Sequence, residues 1–274
     1  MSKDRRRVKG SAMARLLYDF VPNRVDATVY MNHKIDVTEF VKFIKKIKKD
    51  NPNVTMFHGL VTMLGKTIYS RPKMNYFVQD RKLYEHTDVS ITFVAKEKFE
   101  DESIELQTTV KVKPEDTLYD ISDFIYNQVK KIRASKVSGI DNVVETLGNM
   151  PNIIRIPIMG LFKWLDKKNL LPNSLREGNL YYSSTIVSNL GTFKTGAIYH
   201  HLVNFGTCSS LITFGEIVEE NNKYYMEIGA TIDERIADGF YFVKALKLME
   251  YMFKHPEVML EPASKKVSIP ESEK

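Results

Sequence analysis

Thr231-Ile232-Asp233-Glu234-Arg235-Ile236-Ala237-Asp238-Gly239 joins two well-marked elements. Residues 223–232 before it read as a strand, and 239–254 after it as a long helix. In that helix Phe242, Leu246, Met249 and Phe253 form one apolar stripe and Tyr241, Ala245, Leu248 and Met252 its neighbour, so a wide face is covered. The joint crowds together Asp233, Glu234, Arg235 and Asp238. Its acids lack any recognised ligand spacing, and no metal is expected there.

Working outward, 184–189 and 210–218 read as further strands. Toward the N-terminus, Ala27 to Ile35 reads as a strand, followed by a helix with Asp36 and Glu39 placed as a capping box. Asn51-Pro52-Asn53 breaks that helix, and Phe57, Leu60, Val61, Leu64 and Ile68 mark the next, which Arg71-Pro72 ends. Short strands around the turn Gln79-Asp80-Arg81 lead to strands at Val89 to Ala95 and Ile104 to Val112. Pro114 to Arg133 reads as a helix capped near Asp116 and carrying Leu118, Ile121, Ile125 and Val129. Strands and helices mix without a strict beta-alpha-beta rhythm, and no repeat or linker divides them.

A chain of 274 residues with 43% hydrophobic residues can bury a sizeable core. No window approaches the roughly 18 consecutive apolar residues of a membrane span, and the start, Met1-Ser2-Lys3-Asp4-Arg5-Arg6-Arg7, lacks an export signal's apolar core. Cys208 is the single cysteine, which fits a reducing cytoplasm. The net charge is +6, with basic runs at Arg5-Arg6-Arg7-Val8-Lys9 and from Lys42 to Lys49. The lysines of the second run interleave with Phe40, Phe43, Ile44 and Ile47 as the wet face of a helix. Neither nucleic acid nor a membrane is expected as a partner, and the cytoplasm is the expected location.

The opening nonapeptide resembles the Asp-His-Arg-Val-x-Asp-Gly signature of the 2-oxoacid dehydrogenase acyltransferase (dihydrolipoyl acyltransferase) catalytic domains. Chloramphenicol acetyltransferase carries the shorter His-x-x-x-Asp-Gly. Asp233, Arg235, Asp238 and Gly239 match, and Glu234 stands where those families have histidine. Ser184-Thr185-Ile186-Val187-Ser188-Asn189-Leu190-Gly191 is similar to their Thr-Ile-Ser-Asn-Leu-Gly strand, and Ser188 precedes Glu234 by 46 residues, a family-like separation. Residues 54–96 resemble the helix and hairpin of the same domains, so that about 230 residues, from Asp26 to Met259, can be laid on the pattern.

The resemblance implies an α+β fold, a chloramphenicol acetyltransferase-like two-layer sandwich with a mixed β-sheet. It implies a homotrimer whose channels between subunits admit coenzyme A from one end and a small-molecule acyl acceptor, thiol or hydroxyl, from the other. On this pattern a basic, mobile N-terminal segment occupies 1–25, one acyltransferase-like domain 26–262, and a polar C-terminal tail 263–274. No lipoyl attachment site is present in the chain, which suits a stand-alone acyltransferase.

Carried over residue by residue, Ser188 would stabilise the oxyanion and Asp238 would hold structure near the base. Gly239 would permit the tight turn into the last helix, and Asp233, Arg235 and Asn189 would support the two motifs. Glu234 would be the base. An unperturbed glutamate is about four pKa units less basic than the thiolate it must generate, roughly 6 kcal/mol uphill, and a dry channel would reduce this to about 2 kcal/mol. His200 and His201 are the alternative bases, adjacent residues expected to point apart. The competing reading is a catalytically inactive trimer that binds acyl-CoA or a protein. Ser188, equally, would bond only to backbone on the structural reading.

Between the helix ending near Arg133 and Ser184 lies an insertion, about 136–182, longer than the resembled families need. Its apolar stretch, residues 151–165, holds the only tryptophan. Packing against its own domain or a neighbouring copy, a lid over the acceptor pocket, and a membrane or partner surface are the three readings. Pro157 and Gly160 argue against one uninterrupted helix. His58, beside Phe57 and Leu60, and Cys208 read as packed residues.

Overall fold

The described residues, 4–96, 105–134 and 146–273 of a computed structural model, build two sheets and a helical layer. In chain order the regular elements are β1 (Arg5–Arg7), α1 (Ala12–Phe20), β2 (Thr28–Asp36), α2 (Thr38–Ile47), α3 (Met56–Ser70), β3 (Tyr76–Gln79), β4 (Lys82–His86), β5 (Val89–Lys96), β6 (Glu105–Val112), α4 (Leu118–Ala134), α5 (Asn152–Lys167), α6 (Asn173–Arg176), β7 (Thr185–Asn189), β8 (Ser210–Glu220), β9 (Lys223–Asp233) and α7 (Gly239–Lys254). Ile104, expected to start a strand, and residues 136–145 of the insertion lie outside the described residues.

The larger sheet has the order β2-β9-β8-β7-β5-β6. Its centre is parallel, β5 with β7 and β7 with β8, and the flanking pairs are antiparallel. This is the mixed sheet expected of the α+β class. Inward-facing Ile91 and Phe93 of β5, Val187 of β7, Ile212 and Phe214 of β8, and Ile228 and Ile232 of β9 meet α2, α3, α4 and α7 in one core. Phe242, Ala245, Leu248, Met249, Met252 and Phe253 of α7 are buried, which is the wide face that the doubled stripe required. A cavity of about 40 Å³ lies between the sheet and helices α3 and α7. It has room for a few waters and not for an acyl group.

The sheet's other face is covered by irregular chain rather than helix. Residues 195–201 run across β8 and β9, where a Cβ on Gly229 would sit 3.0 Å from the Ile198 carbonyl oxygen and one on Gly215 2.7 Å from the Ala197 nitrogen. Only bare backbone lets that segment lie so close.

Several expectations are corrected. The basic start is ordered: Arg5–Arg7 pair antiparallel with β4, and the Arg5 guanidinium lies over the rings of Phe77 and Tyr84. Asp36 does cap the Thr38 N–H at 3.0 Å, but Glu39 pairs with Lys42 instead of closing a capping box. Helix α4 starts at Leu118, because the Asp116 carboxylate turns back to the Lys113 N–H and Asp120 takes the Thr117 N–H. The insertion forms one helix through Pro157 and Gly160. Pro157 sits on the solvent side near the helix start, where the one lost hydrogen bond frees a carbonyl that water reaches. The apolar stretch packs on its own domain only in part: Ile158, Met159, Phe162 and Leu165 are half-buried, whereas Ile153, Ile154, Ile156, Leu161 and Trp164 are exposed.

Candidate functional site at the end of strand β9

Strand β9 delivers Asp233 to the edge of the sheet in fully buried form, 0% exposed, with its N–H donated to the Ser209 carbonyl oxygen. The carboxylate accepts a fork from Arg235, Nε at 2.8 Å and Nη2 at 2.7 Å, and also the Arg235 N–H at 3.1 Å. Arg24 approaches the same carboxylate at 3.6 Å while donating to the carbonyl oxygens of Val203, Phe205 and Gly206. Burial lowers the proton affinity of Arg24 and Asp233 opposes this. Arg235 also reaches the carbonyl oxygen of Pro22 at 2.7 Å. One buried carboxylate between two guanidiniums therefore ties the chain near Pro22, the loop 203–206 and the end of β9 together. Geometry of this quality is what makes a buried ion pair tolerable.

Asp238 caps α7: its carboxylate accepts the Tyr241 N–H at 2.8 Å. Gly239 is the first residue of α7, lies outside the left-handed region, and a Cβ there would meet nothing within 4 Å. The expected steric need for glycine at this turn is therefore not found within the chain, because the cap and not the glycine sets the helix start. Glu234 lies in the short turn Glu234–Ile236, exposed, with no side-chain hydrogen bond or ion pair among the described residues. An ion pair of Glu234 with Arg235 does not form, because Asp233 occupies that guanidinium.

Ser188 sits half-buried on β7 and its hydroxyl has no partner among the described residues, so the reading in which it merely bonds backbone is not observed. The Asn189 side chain accepts the Gly191 N–H at 3.1 Å and closes the turn after the strand. Across the sheet Ser188 is level with Thr213 and Gly229. Glu234 lies five residues beyond Gly229, two strands away from Ser188, so strand spacings along and across the sheet put Ser188 and Glu234 about 19 Å apart. A single chain therefore does not bring Ser188 and Glu234 to one reacting atom.

His200 and His201 do not point apart. Their rings stack at 4.7 Å and the His201 N–H donates to His200 Nδ1, because the segment is irregular chain in which strand alternation does not operate. The His200 N–H donates to Thr231 Oγ1 at 3.2 Å, beside β9. Both rings are exposed, in an open groove with Tyr30, Ile198 and Tyr199.

A pocket of about 200 Å³ opens beside Arg235, lined by Arg24, Arg81, Lys163 and Lys167 with Asp80 and Asp166. Arg24 and Asp166 were not singled out from sequence. Arg24 is an isolated arginine with no local pattern around it, and Asp166 lies just past the apolar stretch 151–165 with nothing to mark it. Among the described residues no cluster of three groups able to hold a metal ion occurs.

No family model and no curated protein sequence matches the chain. Solved structures do. A probable dihydrolipoamide acetyltransferase from Listeria monocytogenes superposes with a TM-score of 0.59 at 14% identity, over 96% of this chain and 97% of that one. The truncated catalytic core of the 2-oxoacid dehydrogenase multienzyme complex from Thermoplasma acidophilum gives 0.59 at 15%, over 91% and 98%. The fold is that of the acyltransferase catalytic cores. A chloramphenicol acetyltransferase shares it at a TM-score of 0.55 and 12% identity, over 91% of this chain and 99% of that one. Within the acyltransferase fold, the turn bearing Glu234 and the strand bearing Ser188 are the two stretches already matched by motif.

Proposed function

We propose that the chain is an acyltransferase that moves an acyl group between coenzyme A and a thiol or hydroxyl acceptor, in a channel formed between copies of itself. One observation carries this reading. Every other charged group of the 231–239 stretch is engaged, Asp233 with Arg235 and Asp238 with the Tyr241 N–H, and the Glu234 carboxylate alone projects without a partner among the described residues. Glu234 would take the acceptor's proton, and the Ser188 hydroxyl would donate to the oxyanion. Since the two stand about 19 Å apart in one chain at strand spacings, they would meet only across an interface, as in a homotrimer. A neighbouring copy closing over Glu234 would also supply the dry surroundings that a carboxylate base needs.

Solvent exposure of Glu234 favours a second reading, an inactive trimer that binds acyl-CoA or a protein, because a hydrated carboxylate is a weak base toward a thiol. Free-thiol release from acetyl-CoA, with dithiol, hydroxyl and amine acceptors, separates the two. Turnover that falls by about 10²-fold or more in Glu234→Gln makes the carboxylate the working base. Silence in the wild type with activity gained in Glu234→His means a channel whose base is absent. Silence in all three supports the binding module.

A further inference from the structure

Helix α5 is fastened at one end only. Its single acid, Asp166, is 6% exposed and turns inward, accepting from Gln79 Nε2 at 3.1 Å, Tyr182 Oη at 2.7 Å and the Gly206 N–H at 2.9 Å. Just past the helix, Lys168 pairs with Asp80 at 3.1 Å. One side, with Ile158, Met159, Phe162 and Leu165, is half-buried, and the other faces water: Ile153 is 83% exposed, Ile156 66% and Trp164 52%. With Gly160 between them these positions recur at helical spacing and form one stripe, widened on one side by Leu161 and bordered on the other by exposed Lys163 and Lys167. The open surface of α5 thus carries apolar and positive groups and no negative one.

A second stripe adjoins it. Met13, Leu16 and Phe20 are exposed at helical spacing on α1, whose Asp19 pairs with Arg81, the residue after the Asp80 that holds Lys168. Two apolar helix faces therefore flank one turn.

We propose that α5 is a membrane-surface helix that lays Ile153, Ile156, Leu161 and Trp164 into the headgroup region of an anionic phospholipid bilayer, with Lys163 and Lys167 against the phosphates. This takes up the membrane side of the third sequence reading of the insertion, against the general expectation of no membrane partner, and is independent of the acyl-transfer reading. Charge selects the occupant. A second copy of the same face offers no exposed acid to pair with Lys163 and Lys167, whereas an anionic lipid surface complements apolar and basic groups at once. Sixteen residues make a helix of about 24 Å, which lies in the interface rather than crossing it. Among the described residues no helix is long and apolar enough to cross a membrane.

Trp164 is the only tryptophan, so its emission reports on this helix alone. The probe is vesicles of phosphatidylcholine, with and without about one third phosphatidylglycerol, an amount that sets the anionic surface charge. A blue shift with co-sedimentation is expected on the anionic vesicles, with apparent affinity about ten-fold or more weaker on neutral lipid and in high salt. Ile153→Asp with Ile156→Asp, both at exposed positions and checked for an unchanged circular dichroism spectrum, should weaken binding by about ten-fold or more. Lys163→Glu with Lys167→Glu should remove the preference for anionic lipid. Three results would overturn the proposal. These are an unshifted Trp164 on anionic vesicles, full binding by the isoleucine variant, and a blue shift that grows with protein concentration without lipid, which would mean self-association.

Discussion

Asp233 and Glu234 are neighbours in sequence with opposite environments. Asp233 is the counter-charge of two buried guanidiniums, so Asp233→Asn should cost about 3–5 kcal/mol by leaving Arg24 and Arg235 uncompensated. Glu234→Gln, on an exposed side chain, should leave the urea midpoint where it is; unfolding curves of the two variants side by side check both statements. His58 supplies a pH dependence. Burial on α3 lowers its pKa from 6.5 to about 4, with Asp123 opposing, so the ring stays neutral in the fold. The unfolded chain takes up the proton first. Stability from this residue is therefore complete above about pH 6.5 and is lost as pH falls toward 4, roughly 3 kcal/mol in all. His58→Leu should flatten the fall in the urea midpoint between pH 7 and pH 4.5. His86, also lowered to about 4 by burial, leaves a residual slope of the same sign.

At the scale of elements, periodicity was a good guide where one face of a helix meets the core. Helix α7 buries six of its eight stripe residues and half-buries Tyr241 and Leu246, and α4 buries Leu118, Ile121 and Ile125 with Val129 half-buried. Ends were legible only where a side chain had one available partner. Asp238 has the Tyr241 N–H, so Asp238→Ala should lower stability by about 1 kcal/mol. Glu39 had a choice between the backbone and Lys42 and took the lysine. Gly239→Ala puts a methyl into open space in a helical conformation and should be neutral or stabilising by up to about 1 kcal/mol. Thermal midpoints of the two variants should move in opposite directions or the second not at all. A stable Gly239→Ala protein that has lost turnover would mean that a second copy packs on this turn.

For the whole molecule, the decisive quantity is the separation of Ser188 from Glu234 along and across the sheet. If each active centre takes its serine from one copy and its glutamate from another, neither variant alone restores the other in cis. Co-refolding Ser188→Ala with Glu234→Gln in equal amounts should give mixed assemblies in which about a quarter of the sites are intact, for random association in a cyclic oligomer. Turnover of the mixture above that of either pure variant is the expected result. Turnover no higher than the better variant would mean that no centre combines the serine of one copy with the glutamate of another. The inner cavity, at about 40 Å³, leaves no room within the chain's own core for an acyl group.

The sequence by itself determined the fold, because the 231–239 joint, the Ser188-Asn189-Leu190-Gly191 turn and the helix stripes are local patterns, and the structures that share this fold are only 14–15% identical. It also singled out Glu234 as the residue on which the proposed chemistry turns. The tertiary structure alone decided that Asp233 is spoken for by Arg24 and Arg235 while Glu234 is not, that Ser188 stands far from Glu234, and that α5 leaves its apolar stripe in water. The reason is physical: spacing along a chain reports backbone periodicity and caps, whereas burial and ion pairing depend on which distant elements arrive beside a residue. Arg24 and Asp233 lie on segments far apart in sequence, and only the closing of β2 onto β9 brings them together.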